Sequence, residues 1–360
     1  MASSVGSYSL TMGRVSRLSV SSSRVLSKEV SSPLEGLVCP VHRIPLGHEV
    51  QGYSCAQGCA FPVVEGIARF VSHEGYCSSF GIQWMRFRQA QLDSYTHTTI
   101  SRDRLARCLG GSLDVVRDKL VLEVGCGAGR FTEILLAAGA SVFACDLSRA
   151  VEANYANCAG RPGYFVCQAD LLRLPADPEQ FDLVLALGVI QHTPDPERAI
   201  DALCAQVKPG GHLVFDHYSH SYPATAVRRA LRWLLLRVPL GFRLPFCQLL
   251  VGLLWPLHVL IWRLRGMRGA GRLRRLFLNI SPILDYQEFF PELGTDALRT
   301  WALLDTHDTL TDRYKHLRSV DEIARALRSN GMADIQVQYG GNGVEARSLK
   351  PSSPQGPGKR

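Results

Sequence analysis

The chain has 360 residues, 46% of them hydrophobic, and a formal charge of +8. That supports one large domain with additions, or two domains, with a well-filled core, and it excludes a chain too polar to fold. The charge is local: His217 to Leu284 holds 11 arginines and no Asp, Glu or Lys, so the remainder sums to −3. Such a segment points to an anionic partner, whether a phospholipid surface, a nucleic acid or a phosphorylated substrate.

The 11 cysteines are scattered and odd in number, and no secretory signal pattern follows Met1. A reducing compartment with free or metal-bound thiols is therefore expected. Residues 1–34 are rich in Ser, with Arg14, Arg17, Arg24 and Lys28 and no acid before Glu29. This composition cannot fold alone. It reads as a disordered leader and also fits an organellar transit peptide. The expected location is cytoplasmic with peripheral membrane association, or else mitochondrial through that leader. Residues 350–360 read as a disordered tail.

Residues 35–75 contain two knuckles, Cys39-Pro-Val-His42 and Cys55-Ala-Gln-Gly-Cys59, with 12 residues between them. Two close pairs of such ligands give a tetrahedral set of three sulfurs and one nitrogen, which Zn²⁺ prefers. A module this poor in apolar residues would draw its folding free energy from the metal. The segment resembles the zinc-ribbon modules at the N-terminus of some methyltransferases, and "FPVVEGIARF" is similar to their Phe-Pro-Val-x-x-Gly-Ile tail. It departs in two places: His42 stands where a second Cys is usual, and the second knuckle has three intervening residues instead of two. Either the site holds structural zinc, or these four are reduced residues in a ribbon that has lost its metal.

Residues 76–117 carry Phe80, Trp84 and Phe87 at helical spacing, which reads as a stripe packed over a sheet edge. In "KLVLEVGCGAGRFTEILLAAGASVFACDLS" an apolar strand over 120–124 runs into a glycine loop. Gly125, Gly127 and Gly129 let the backbone turn sharply and approach a ligand. The helix expected from near Arg130 aims its first amides at that ligand. Asp146 ends the next strand, where a carboxylate can accept both hydroxyls of a ribose. Arg130 stands where a dinucleotide fingerprint wants a third glycine. Asp170 follows a third strand, and a fourth ends at Gly188. Asp195 then caps a helix with Pro196 at its first position, and a Pro-Gly-Gly turn leads into a fifth strand.

This run, residues 118–216, resembles the class I S-adenosylmethionine-dependent methyltransferases, in their small-molecule type 11-like branch. The resemblance implies an α/β fold with a doubly wound, seven-stranded Rossmann-like sheet. It implies S-adenosyl-L-methionine as cofactor, with Glu123, Gly125, Cys126 and Gly127 along its methionine part. Asp146 would hold the ribose, with Leu147 against the adenine. Asp170 would accept from the adenine amino group, with Leu171 beside the ring, and Gly188 and Val189 would lie under the sulfonium. Cys126 also reads as a small core residue and Asp170 as a helix cap. Methyl transfer needs alignment and, for a poor nucleophile, a base. His192 is one candidate base, and His217 and Tyr218 are others; a histidine at such a loop is as often structural. The resemblance also makes the 76–117 segment a lid, with Gln83, Trp84 and Gln91 near the pocket.

Residues 217–284 form an insertion. "AVRRALRWLLLRV" puts Val227, Leu231, Leu234 and Leu235 on one side of a helix and Arg228, Arg229 and Arg232 on the other. Positions 244–262 carry no charge, and Pro239, Pro245 and Pro256 punctuate the run. Nineteen residues span about 28 Å as a helix, just enough for a bilayer core. One crossing would strand the last two strands on the wrong side, so an interfacial or re-entrant helix set, or a cap on the enzyme itself, is expected. In residues 285–349, Asp305, His307, Asp308 and Tyr314 read either as ordinary loop polarity or as a substrate wall. Ser319 then caps a helix that ends at Gly331, and two strands follow near 333–339 and 343–347, the final one antiparallel in the resembled fold.

Three functions follow. The first is a methyltransferase for a small-molecule or lipid-linked substrate, in peripheral contact with an anionic membrane. The second is an RNA methyltransferase, since ribosomal RNA guanine methyltransferases also join a zinc ribbon to this fold. A nucleic acid is not expected, because the arginines alternate with leucines and few stacking aromatics. The third, a non-catalytic partner of another methyltransferase, conflicts with the intact glycine loop and Asp146.

Overall fold

A computed structural model describes residues 32–352. The leader and tail expected at the two ends lie, apart from their innermost residues, outside the described residues. The elements in chain order are β1 (Leu46–Glu49), β2 (Gly52–Cys55), β3 (Ala60–Val64), β4 (Ile67–Arg69), α1 (Ser78–Arg86), α2 (Asp93–Thr96), α3 (Ile100–Cys108), β5 (Leu120–Val124), α4 (Thr132–Ala137), β6 (Ser141–Asp146), α5 (Ala150–Cys158), β7 (Tyr164–Gln168), β8 (Phe181–Ala186) and α6 (Pro196–Gln206). They continue with β9 (Val207–His217), α7 (Ala226–Leu235), α8 (Leu240–Arg263), α9 (Ala270–Ile280), α10 (Thr295–Thr311), α11 (Val320–Ser329), β10 (Ala333–Gly340) and β11 (Gly343–Leu349).

The sheet runs β1-β2-β3-β4-β7-β6-β5-β8-β9-β11-β10. Strands β7, β6, β5, β8 and β9 are parallel, and β11 is antiparallel to both β9 and β10. Those seven are the expected doubly wound sheet. The central strands read as unbroken apolar runs because both faces are covered, as parallel sheets require: Val121, Leu122, Val142, Phe143, Phe165 and Val184 are all buried. The strand order reverses between β5 and β8, which opens a crevice at the C-terminal strand ends, where ligands sit in such folds.

The cysteine module extends this sheet. β4 pairs in parallel with β7 through Ala68 and Cys167, and through Arg69 and Gln168. Nothing in the local pattern of residues 35–75 signalled that long-range pairing.

The insertion differs from expectation at Arg228. On α7, Arg228 is not on a solvated face. It is buried, and its guanidinium donates to the carbonyls of Pro223, Pro282 and Ile283. Those acceptors replace the water it has lost. Beyond the insertion, Asp305, His307 and Asp308, read as loop polarity or a substrate wall, lie on the helix α10. The uncharged run becomes α8, 24 residues with Pro245 and Pro256 inside. By length and composition it could cross a membrane, but β10 and β11 return to the sheet that β5–β9 began, so it does not. One stripe of α8, Leu244, Cys247, Val251, Trp255, His258 and Ile261, is buried. Val251 and Trp255 pack against Leu298 and Trp301 of α10. Its other face leaves Phe242, Leu249, Leu253, Leu257 and Leu260 exposed. Inside, His258 is held between Ser281 Oγ at 2.8 Å from Nε2 and Asp285 Oδ2 at 3.0 Å from Nδ1. All three side chains are buried, so this trio fastens α8 to the segment leading to α10.

Candidate functional site

The loop after β5 shows why glycine is required there. Gly125 has φ 65° and Gly127 φ 50°, a region costly for other residues. A side chain on Gly125 would collide with Val189, and Gly127 lies under the Trp84 ring. The Gly127 amide donates to Asp146 Oδ2 at 3.0 Å. Asp146 Oδ1 accepts from the Ser148 amide and hydroxyl, each at 2.8 Å. A carboxylate has about four acceptor positions, so this one keeps room for a further donor. Burial raises its pKa despite these bonds. The helix expected from Arg130 begins two residues later, at Thr132.

A cleft opens at these strand ends and is lined by Gly125, Asp146, Leu147, Asp170, Leu171, Gly188 and Val189 among others. Asp170 both faces the cleft and caps the turn after it, accepting from the Leu172 amide at 2.9 Å. The Gly188 amide donates to Asp216 Oδ1 at 2.6 Å, and Asp216 pairs with Arg104. Neither Asp216 nor Arg104 carried a local signal. A shallower depression at the start of β6 and β7, between Leu136 and Gly163, gathers no titratable cluster.

Four of the candidates lie behind the cleft or in its floor. Gly127 and Gly129 shape the loop without lining the cleft. Glu123 is buried and accepts from the Thr132 hydroxyl at 2.6 Å; burial pushes its pKa up to about 8. Cys126 sits in the main hydrophobic core, in keeping with its reading as a small core residue. Its place beneath the loop demands a small apolar side chain.

Of the two histidines, only His192 lines the cleft. Its ring lies 5.1 Å from Phe80 and edge-on to Tyr218 at 5.3 Å. Nδ1 is 3.2 Å from the Tyr314 carbonyl and 3.3 Å from Asp312 Oδ2. Nε2 is 3.8 Å from Asp308 Oδ1. Burial opposes the imidazolium, but Asp308 and Asp312 outweigh it and the pKa is raised. Asp312 is in turn bound by Arg232 at 2.7 Å and Lys315 at 3.1 Å. His192, Asp308 and Asp312 come close enough to hold an ion, but those two cations already neutralise Asp312. His217 is not on the cleft wall. It is fully buried, its Nδ1 lies 2.9 Å from the Tyr218 carbonyl, and burial pushes its pKa down to about 4. Its expected role as a base is corrected accordingly.

The α1 segment lies at the rim of this cleft. Phe80 and Trp84 line the cleft, whereas Gln83 turns away to His307 at 2.7 Å and Gln91 to Arg130 at 2.9 Å. On α10, Asp305 and Asp308 are raised by burial, Asp305 to about 6. Tyr314 packs edge-on to Tyr76, another cleft residue, at 5.5 Å.

The cysteine knuckles converge. The ligand atoms of Cys39, His42, Cys55 and Cys59 all lie within 4.8 Å of one another. His42 Nδ1 is 3.8, 3.3 and 3.5 Å from the three sulfurs. Bonds of about 2.0–2.3 Å at tetrahedral angles put ligand atoms roughly 3.5–3.8 Å apart, so the four residues fit a zinc ion. It would be a closed, structural site with no open position for chemistry.

Comparison with known proteins agrees with this geometry. Residues 122–215 match a family model described as a methyltransferase domain. The ubiquinone biosynthesis O-methyltransferase of Coxiella burnetii is 35% identical over 112 residues, 30% of this chain and 47% of that protein. The protein of the same name from Alkalilimnicola ehrlichii is 33% identical over 118 residues, 32% of this chain and 46% of that one. The chain thus spans about half the length of the curated relatives it matches. Magnesium protoporphyrin IX methyltransferase of Synechocystis, solved with bound S-adenosylmethionine, is 14% identical with a TM-score of 0.40, covering 77% of this chain and 94% of that one.

Proposed function

We propose, from the class I methyltransferase domain at residues 122–215, that this chain transfers a methyl group from S-adenosylmethionine to an O–H or N–H group of an apolar small molecule or lipid-linked substrate at a membrane surface. The observation that carries the reading is the meeting of Asp146, Gly188 and His192 in one cleft at the C-terminal strand ends.

The cofactor, when bound, supplies a methyl carbon already activated by its sulfonium. Asp146, Leu147, Asp170 and Leu171 would hold the nucleoside, and Gly125, Gly188 and Val189 the methionine end. That carbon would take the acceptor's lone pair, and the thioether would leave with the electron pair of the broken carbon–sulfur bond. His192 takes the proton the acceptor loses. Its Nδ1 faces two acceptors, the Tyr314 carbonyl and Asp312, so that nitrogen carries the hydrogen and Nε2 keeps the free electron pair. Trp84 and Phe80 cover the cleft and exclude water.

The insertion supports presentation at a membrane. The bare face of α8 is joined by Leu273, Leu276 and Ile280 of α9, all exposed. Arg263, Arg265, Arg268, Arg272 and Arg275 border them, with no acid between His217 and Leu284. Each such apolar side chain gains roughly 1.5–3 kcal/mol when fully buried. Each arginine near an anionic leaflet adds about 1 kcal/mol. Incubating the protein with methyl-labelled S-adenosylmethionine and a membrane lipid extract tests the reading. Label should enter the organic-soluble fraction.

A further inference from the structure

We infer that Arg43 is a positioning residue of the cofactor cleft, through which metal at the cysteine knuckles and cofactor in the cleft support each other's binding. The inference rests on the proposed cofactor reading and adds to it a coupling between two sites.

Arg43 follows directly on the ligand His42, and its backbone shape is set by the first knuckle. It has φ 55°, its amide donates to the Cys39 carbonyl at 2.9 Å, and the Cys39 amide donates to the Ile44 carbonyl at 2.8 Å. From that turn its guanidinium reaches into the methyltransferase domain. It donates to the Leu174 carbonyl at 2.8 Å and to the Ala176 carbonyl at 2.7 Å. Between those two, the Pro175 carbonyl accepts from the Val38 amide at 3.2 Å. Three consecutive carbonyls of one loop are therefore held by residues 38–43.

That loop leaves β7 and carries Asp170 and Leu171 on the cleft wall. Its backbone has no strand partner at 174–176, so the knuckle supplies what a sheet would. A second tie runs beside it: the Phe70 amide donates to the Gln168 carbonyl at 2.8 Å, and Gln168 Nε2 donates to the Leu147 carbonyl at 2.9 Å. A module with so small a core depends on its metal to keep the knuckle's shape. Losing the metal frees Arg43, which frees the loop that shapes the adenine side. Linkage makes this reciprocal, so cofactor in the cleft tightens metal binding by the same factor.

The test uses the full chain with its zinc content measured, titrated calorimetrically with S-adenosylhomocysteine before and after chelation, with circular dichroism to confirm that the parallel sheet persists. Chelation should weaken binding about tenfold, within the range usual for coupled sites. Arg43→Ala should keep one equivalent of zinc, bind as weakly as the chelated protein and lose nothing further on chelation. The Arg43 side chain is 42% exposed, so truncation leaves no buried hole. Arg43→Lys, which cannot fork to two carbonyls, should recover part of the affinity at most. Unchanged affinity after chelation, wild-type affinity in Arg43→Ala, or the absence of zinc overturns the inference while leaving the cofactor reading intact. Failure of the zinc-loaded wild type to bind S-adenosylhomocysteine overturns both.

Discussion

Asp312 lies within ion-pair range of the His192 ring. Its Oδ2 lies 3.3 Å from Nδ1, while Nε2 lies 3.8 Å from Asp308 Oδ1, beyond hydrogen-bonding range. Histidine and carboxylate come from separate segments, a turn after β8 and the residue that follows α10.

His192→Asn should lower methyl transfer by about 10²–10⁴-fold, the usual share of a general base, and leave S-adenosylmethionine affinity unchanged. The neutral imidazole is the active form and its pKa is raised, so the rate should fall as pH drops through a value above the ordinary 6.5 for His. Asp312→Asn removes one of the carboxylates that raise it, so the acidic limb should move to lower pH. A rate–pH profile of label transfer measures both effects; a profile unmoved by Asp312→Asn contradicts the positioning role.

Glu123 makes folding sensitive to pH in the opposite direction from an ordinary surface acid. Burial raises its pKa from 4.5 to about 8, so between those values the folded chain holds a proton that the unfolded chain has released. Its contribution therefore favours folding less and less as pH rises through that window. Glu123→Gln keeps an acceptor for Thr132 and removes the titration. The variant should gain on wild type from pH 5 to pH 8, by on the order of a few kcal/mol at most. Urea unfolding at the two pH values tests this; a constant difference would show that Glu123 is not the group responsible.

Arg228→Met should cost about 2–4 kcal/mol, since three carbonyls at 2.8–3.2 Å lose their donor inside the protein. Thermal unfolding should show a lower midpoint. A surface arginine would show almost no change.

Leu253→Asp and Leu276→Asp alter exposed positions of α8 and α9, so the fold should survive both. Each should weaken flotation with phosphatidylglycerol vesicles, and raised salt should weaken the wild type as well. Wild-type protein that stays in the soluble fraction at low salt rules out the membrane surface.

What could be read in the chain was local. Gly125, Gly127 and Asp146 signal themselves because a positive φ and a strand-end carboxylate leave marks within a few residues. The Cys39, His42, Cys55 and Cys59 set was legible for the same reason. Asp312 and Lys315 were not, because their meaning lies in His192, far away in the chain. α10 escaped as a helix because Thr306, His307, Thr309 and Thr311 are buried alongside Leu298, Trp301 and Ala302, so polar residues interrupt the apolar stripe on its inner face. Arg228 looked solvated because a buried arginine and an exposed one are alike until the carbonyls around it are known.

The most direct measurement is the transfer of label from methyl-labelled S-adenosylmethionine to a membrane lipid extract, by wild type and by Asp146→Ala in parallel. Label should appear in the organic-soluble fraction with wild type and fall at least tenfold with the variant, whose cofactor affinity should drop with the loss of its ribose acceptor. No label with wild type, or equal transfer by Asp146→Ala, would contradict the cleft's assignment as the site of methyl transfer.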